Sequence, residues 1–206
     1  MRLGILADIH EHVEFLRAAL ERCTAAGATE FVDLGDVFKN GRRIDQTVHL
    51  LRSHQTRGVW GNHDFGLCHQ PDERVVARYA PETCRWLAGY RARLEVEGVL
   101  FQHIMPHRDP HRLEDLWQGG ADCPDTSEKC AACFADGGWR VCFIGHYHRW
   151  VAATPQGPRP WDGTTVLDLS GPERWLVVVD AVENGSCAVL DTDRWTLEPM
   201  RLNDGA

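Results

Sequence analysis

Five short clusters along this 206-residue chain combine carboxylates, imidazoles and one amide in a form that suits metal ions and proton transfer. They are Asp8-Ile9-His10, Gly35-Asp36, Gly61-Asn62-His63-Asp64, His103 and Gly145-His146-Tyr147-His148. Each follows a short apolar run that reads as a buried strand. Polar groups therefore crowd onto strand carboxyl ends, where open α/β sheets place their chemistry. Asp8 and His10 stand two apart and leave a continued strand on one face, so together they can chelate a divalent ion. Asp36, behind a glycine that admits close backbone approach, can bridge two ions. Asn62 offers an amide oxygen, His103 and His146 offer imidazole nitrogens, and His148 can reach the opposite ion if Tyr147 turns away. Two dications about 3.5–4 Å apart can bridge a water, bring its pKa toward neutrality and hold phosphoryl oxygens during in-line attack. The expectation is one two-metal centre that hydrolyses phosphate esters.

Bringing these clusters together makes demands on the elements between them. Leu3 to Ala7 reads as a strand, and Val13, Leu16, Ala19, Leu20 and Cys23 fall at helical spacing over His12 to Ala26 before Gly27. Phe31, Val32 and Leu34 form a second strand. Ile44, Val48 and Leu51 mark a second helix, and Val59 and Trp60 complete a third strand. This βαβαβ order argues for a parallel sheet. Cys68 to Gly89 reads as two helical pieces broken at Pro81, and Leu94 to Gln102 as a hairpin turning at Gly98. Met105 to Gly138 is rich in Pro, Gly, Asp and His, with helical pieces near Leu113–Gln118 and Ser127–Ala135. Val141 to Ile144 is another strand, and Pro155 to Gly163 a loop. Val166–Leu169, Trp175–Val179 and Cys187–Leu190 close the chain as β-like runs, the last two joined by an Asn184-Gly185 hairpin turn. No internal repeat or linker interrupts residues 1–206, so one domain is expected, with a variable segment at 104–139.

A net charge of -8 leaves no excess of Lys and Arg to displace counterions, which argues against long nucleic acid as a partner. It leaves room for a small phosphate ester, a nucleotide included, at a locally positive metal site. No apolar stretch approaches the roughly 20 residues of a membrane span, and Leu3 to Ala7 is too short for a secretory segment. A cytoplasmic protein with reduced thiols is expected, its eight cysteines notwithstanding. Tryptophans late in the chain make a homodimer reasonable.

In this order, D-x-H, G-D, G-N-H-D, a strand-terminal His and G-H-x-H resemble the calcineurin-like metallophosphoesterase superfamily, and the length is similar to its small bacterial YfcE-type phosphodiesterase branch. The motifs span Asp8 to His148. The resemblance implies an α/β fold, a four-layer α-β-β-α sandwich of two mixed β-sheets flanked by helices. It implies one ion on Asp8, His10, Asp36 and His148, and a second on Asp36, Asn62, His103 and His146. A bridging hydroxide would attack phosphorus, His63 would assist the leaving group, and Asp64 would orient its ring. The mixed nitrogen and oxygen donors suit Mn, Fe, Zn, Co or Ni better than Ca, with Mn the first to try.

There are departures from the pattern. Glu11-His12 stands where related sequences often have Gly-Asn, adding a carboxylate and an imidazole at the edge of the site. Lys39-Asn40-Gly41 differs from the Asp-Arg-Gly of protein serine/threonine phosphatases, which argues against that activity. His12, Arg42 and His107 are candidate substrate contacts, with Arg108 and His111 nearby in the variable segment.

Each piece also has a local reading. Asp8 and Asp36 could cap helices, Asn62 to Asp64 could form a tight turn, and His103 could be a hydrogen-bonded core histidine. His146 and His148 could lie on a surface strand. Cys68 to Arg74 has the Cys-x5-Arg spacing of cysteine phosphatases, but Pro71 removes a phosphate-binding N–H and Asp72 and Glu73 repel the anion. Cys123, Cys130 and Cys133 fit either a structural zinc or a helix facing the core. Trp117, Trp139, Trp150, Trp161, Trp175 and Trp195 read as packing rather than base stacking. The functional alternative is a binding scaffold on the same fold; competent donors at every ligand position weigh against it.

Overall fold

Leu3, Ile5 and Ala7 alternate with Gly4 and Leu6 along the first strand, and that alternation serves two cores at once. In the computed structural model, which describes residues 1–118, 122–135 and 137–202, the odd-numbered set packs between two sheets while Leu6 packs under helices. Positions 119–121 and 136 of the variable segment lie outside the described residues.

The strands are β1 (Arg2–Leu6), β2 (Glu30–Asp33), β3 (Arg57–Gly58), β4 (Arg93–Val96), β5 (Val99–Gln102) and β6 (Val141–Ile144). They continue as β7 (Val151–Thr154), β8 (Gly157–Arg159), β9 (Leu167–Asp168), β10 (Trp175–Val178), β11 (Ser186–Asp191) and β12 (Thr196–Arg201). One sheet has the order β3-β2-β1-β11-β12-β9 and the other β4-β5-β6-β10-β7-β8. β1, β2 and β3 run parallel, as do β5, β6 and β10. Helices α1 (Val13–Ala25), α2 (Ile44–Ser53) and α5 (Pro81–Leu87) cover the first sheet, while α7 (Ser127–Phe134), which follows the short α6 (Leu113–Leu116), covers the second. The result is the expected α-β-β-α sandwich of two mixed sheets.

Between the sheets, Phe101 and Phe143 stack at 5.6 Å, both fully buried. Truncating either to alanine would cost about 3–5 kcal/mol. On the outer face, α1 buries Val13, Leu16, Ala19, Leu20 and Cys23, the residues its periodicity singles out.

Several elements differ from expectation. The chain from Phe65 to Leu87 forms three short helices: α3 (Phe65–Cys68), α4 (Glu73–Val76) and α5, with Pro81 opening α5 rather than breaking a helix. Proline is preorganised for that first turn. β3 ends at Gly58, and Val59 makes only an isolated bridge to Arg91. Residues 151–159 form the β7–β8 hairpin where a loop was expected at its second strand. Asn184-Gly185 does not join a hairpin: β10 belongs to the second sheet and β11 to the first. There Val182–Asn184 makes a turn of 3-10 helix, and Gly185 ends it at φ 75°.

Candidate metal centre

Every one of the five clusters sits just past the carboxyl end of a parallel strand: β1, β2 and β3 from one sheet, β5 and β6 from the other. The two sheets therefore bring their donors together across the seam. Asp8, His10 and His148 converge, as do His10, Asp36 and His63, and Asp36, His103 and His146. One Asp36 oxygen, Oδ2, lies 3.8 Å from His10 Nε2 and 3.5 Å from His103 Nε2, between the two halves. Asn62 Oδ1 lies 3.0 Å from His103 Nε2 and 3.1 Å from His146 Nδ1. His148 Nε2 lies 3.3 Å from Asp8 Oδ1.

The backbone is forced to make this arrangement. Asp8, His10, Asp36, His146 and His148 have φ values of 49°, 46°, 56°, 73° and 48°, left-handed conformations that non-glycine residues rarely adopt. Such positions cost about 1–3 kcal/mol each and persist only where the surroundings over-determine them. Gly61 explains part of the close fit: a Cβ there would fall 2.1 Å from Asp36 Oδ1. Gly145 does the same for Asp8, whose Oδ2 would meet its Cβ at 2.8 Å.

The rings are oriented from behind. His10 Nδ1 donates to Phe38 O at 3.2 Å, His103 Nδ1 to Leu34 O at 2.8 Å, and His146 Nε2 to Gln118 O at 3.1 Å. His148 Nδ1 faces Glu183 Oε1 at 3.2 Å. With those nitrogens protonated, each remaining nitrogen presents a lone pair to the centre. His10 Nε2 and His148 Nε2 then face each other at 3.3 Å, and His103 Nε2 and His146 Nδ1 do so at 3.3 Å. Lone pairs so close repel unless a cation stands between them. Divalent metal ions fit this donor set, and acceptors behind ligating imidazoles are the usual support for one.

Where no ion neutralises Asp36, a proton takes that place: burial raises the Asp36 carboxyl and disfavours the His103 imidazolium, yet their pairing keeps Asp36 below its ordinary range and lifts His103 to about 10. A metal ion binding here would displace that proton and leave His103 Nε2 as a donor.

Several expected roles fall elsewhere. Asp64 makes no hydrogen bond to the His63 ring; its oxygens accept from the backbone N–H groups of Val37, Phe38 and Gly61. Burial, with Asp36 close by, pushes that carboxyl up to about 6. The His63 ring instead lies edge-on to His10, centroids 4.8 Å apart, and tilted against Trp117 at 5.1 Å. Burial lowers its pKa. Glu11 is buried, its carboxylate holding the N–H groups of Lys39, Asn40, Gly41 and Arg43, so it anchors a loop rather than meeting substrate.

His12 caps α1 through Nδ1 and stacks on Phe15. Arg42 and His107 are exposed and do not line the cleft; Arg108 pairs with Asp122, and His111 packs near Trp60. Burial holds the Cys68 thiol well above its ordinary value, the opposite of a phosphatase nucleophile.

The cleft over the centre has a volume of about 420 Å³ and adds Lys39, Trp117 and Glu183 to the expected residues. Glu183 comes from the turn after β10 and takes Lys39 Nζ at 2.6 Å on Oε2. A lone glutamate in a turn carries no sequence signal for this role.

A sequence model of the calcineurin-like phosphoesterase superfamily domain matches residues 1–168. An uncharacterized protein of Methanocaldococcus jannaschii is 27% identical over 84 residues, which are 41% of this chain and 35% of that one. The aligned stretch thus spans about a third of that relative. Among solved structures, a metallophosphoesterase from Sphaerobacter thermophilus is 23% identical, with a TM-score of 0.78 over 100% of this chain and 89% of that one. YfcE, a phosphoesterase from E. coli, is 18% identical with a TM-score of 0.51 over 98% and 100% of the two chains. At these identities the likeness is one of fold.

Proposed function

The chain belongs to the calcineurin-like phosphoesterase superfamily, and on that premise we propose that it hydrolyses phosphate mono- or diesters with two divalent ions. One ion is assigned to Asp8, His10, Asp36 and His148, the other to Asp36, Asn62, His103 and His146. The observation that carries this reading is the pair of facing imidazole lone pairs at 3.3 Å, each with its far nitrogen tied to an acceptor. Two bound ions supply Lewis acidity, bringing a water toward neutrality in pKa and offsetting charge on the phosphoryl oxygens. Mn is the first metal to try, since the mixed nitrogen and oxygen donors suit several transition ions.

The chain's own residues do the rest. Asp36 presents one oxygen to both halves, which sets their spacing. In the hydrolysis, water oxygen forms the new bond to phosphorus while the bond to the alcohol oxygen breaks. That oxygen leaves with its electron pair and needs a proton, which His63 is assigned to deliver. Lys39 and Glu183 border the entrance. Cytoplasmic work on a small phosphate ester completes the proposal.

The test is hydrolysis of bis-p-nitrophenyl phosphate and p-nitrophenyl phosphate by protein stripped with EDTA and reloaded with single metals. Turnover should vanish on chelation and return with Mn²⁺ or a related ion. Undiminished turnover in metal-free protein would sink the mechanism. The ratio of the two rates separates diesterase from monoesterase.

A further inference from the structure

Trp117 is the one large apolar surface among the residues that line the metal cleft; the others are histidines, carboxylates, an amide and a lysine. It is 54% exposed, an unusual state for a tryptophan. Its ring is not adrift. Leu116 beside it is fully buried, the Trp117 backbone N–H donates to Leu113 O, and Gln118 O takes the ring Nε2–H of His146. The residues on either side are thus tied to the core and to a candidate metal ligand. The indole stands 5.1 Å from the His63 ring at an angle of 53°, so it is not stacked on the imidazole.

We propose that Trp117 is a stacking platform for the base of a nucleoside, and that the substrate is a nucleoside phosphate whose nucleoside is the departing alcohol. This rests on the phosphoesterase reading and on His63 marking the leaving-group side. A planar, apolar surface next to the proton donor matches a departing group that is itself planar and partly apolar. A glycerol or sugar alcohol would leave the indole uncovered. Stacking is tolerant of base identity because every base has a π-face. The site therefore selects nucleosides over other alcohols without choosing strongly among bases.

The experiment compares wild type, Trp117→Ala and Trp117→Phe in Mn-loaded protein. Hydrolysis of 5′-AMP and 2′,3′-cyclic AMP is measured against glycerol 3-phosphate, and binding of 5′-AMP is measured by calorimetry. Trp117→Ala should weaken 5′-AMP binding and raise KM for hydrolysed adenosine esters about 5- to 150-fold, the span of base–aromatic stacking. The losses in kcat and on glycerol phosphate should be far smaller than the rise in KM for adenosine esters, and Trp117→Phe should recover most of that rise. Equal losses on both substrate classes would mean that Trp117 positions His63, and would overturn the inference. A change of oligomeric state in Trp117→Ala, read by sedimentation, would mean that a second copy covers the indole, which also overturns it. Trp117-dependent 5′-AMP binding without hydrolysis of any ester defeats the hydrolase reading alone. Hydrolysis with Trp117-independent binding defeats this inference alone.

Discussion

At the strand ends, His10 and His148 bring bare nitrogens 3.3 Å apart with their other nitrogens tied off. On the outer face of the second sheet, Cys130 and Cys133 have the spacing of a zinc-binding pair but point their thiols elsewhere. Cys130 Sγ donates to Pro124 O at 3.4 Å and Cys133 Sγ to Lys129 O at 3.1 Å, while Cys123 Sγ accepts from Arg149 Nε at 3.3 Å. Burial pushes the Cys133 thiol up to about 12. A metal needs the thiolate, and this pocket holds the thiol. Among the described residues, the groups able to hold a metal include no cysteine. Of the two open readings of that segment, the helix facing the core is the one the structure has. Sequence spacing is therefore only half of a metal site; the other half is what stands behind each donor.

The largest effect tests that contrast directly. Asp36→Ala should lose bound metal and bring hydrolysis to background, whereas Cys130→Ser with Cys133→Ser should leave metal content unchanged by elemental analysis. Metal loss in the cysteine variant would break the comparison. Next, His63→Ala should keep its metal and lose about 10²–10⁴-fold in turnover, as for removal of a general acid; near-normal rates would remove its assigned role. Glu183→Ala, which takes away the acceptor behind His148, should weaken metal binding by about 10–100-fold in a competition titration. An unchanged affinity would show that the backing acceptor is dispensable.

The smallest effect concerns a buried carboxylate outside both regions. Burial holds Asp33 well above its ordinary value, against the hydrogen bond it accepts from the Tyr90 hydroxyl at 2.6 Å. A raised folded-state pKa means that the stability it contributes is full below about pH 3.9 and is lost as pH climbs toward the folded value. Asp33→Asn keeps an acceptor for Tyr90 and cannot ionise. Its Tm should fall less than that of wild type between about pH 4 and about pH 8. Parallel curves would assign the slope to other groups.

The parallel strands and their polar ends were legible because each apolar run is short and bounded, and because Asp8, Asp36, Asn62 and the histidines follow directly. β8 and β12 were not. The first reads Gly-Pro-Arg on a sheet edge, where proline is tolerated, and the second carries Pro199 inside it. The Asn184-Gly185 signal marks a turn but not a hairpin, because a local signal does not say which sheet the next strand joins. Glu11 and Asp64 looked like site groups because carboxylates that hold backbone amides are indistinguishable in sequence from carboxylates that hold ions. Trp117 has no basic neighbours in sequence and so reads as packing; the ring it meets belongs to a histidine 54 positions away.

The seam between the sheets has a consequence for the life of the protein. Each assigned ion takes donors from both halves of the sandwich, so loading would rivet one sheet to the other. A cation that binds only the folded chain adds about 2.7 kcal/mol at a hundredfold excess over its dissociation constant. Metal starvation would then loosen the sandwich at its working edge and expose the chain to proteolysis, making abundance as well as turnover follow the supply of ions.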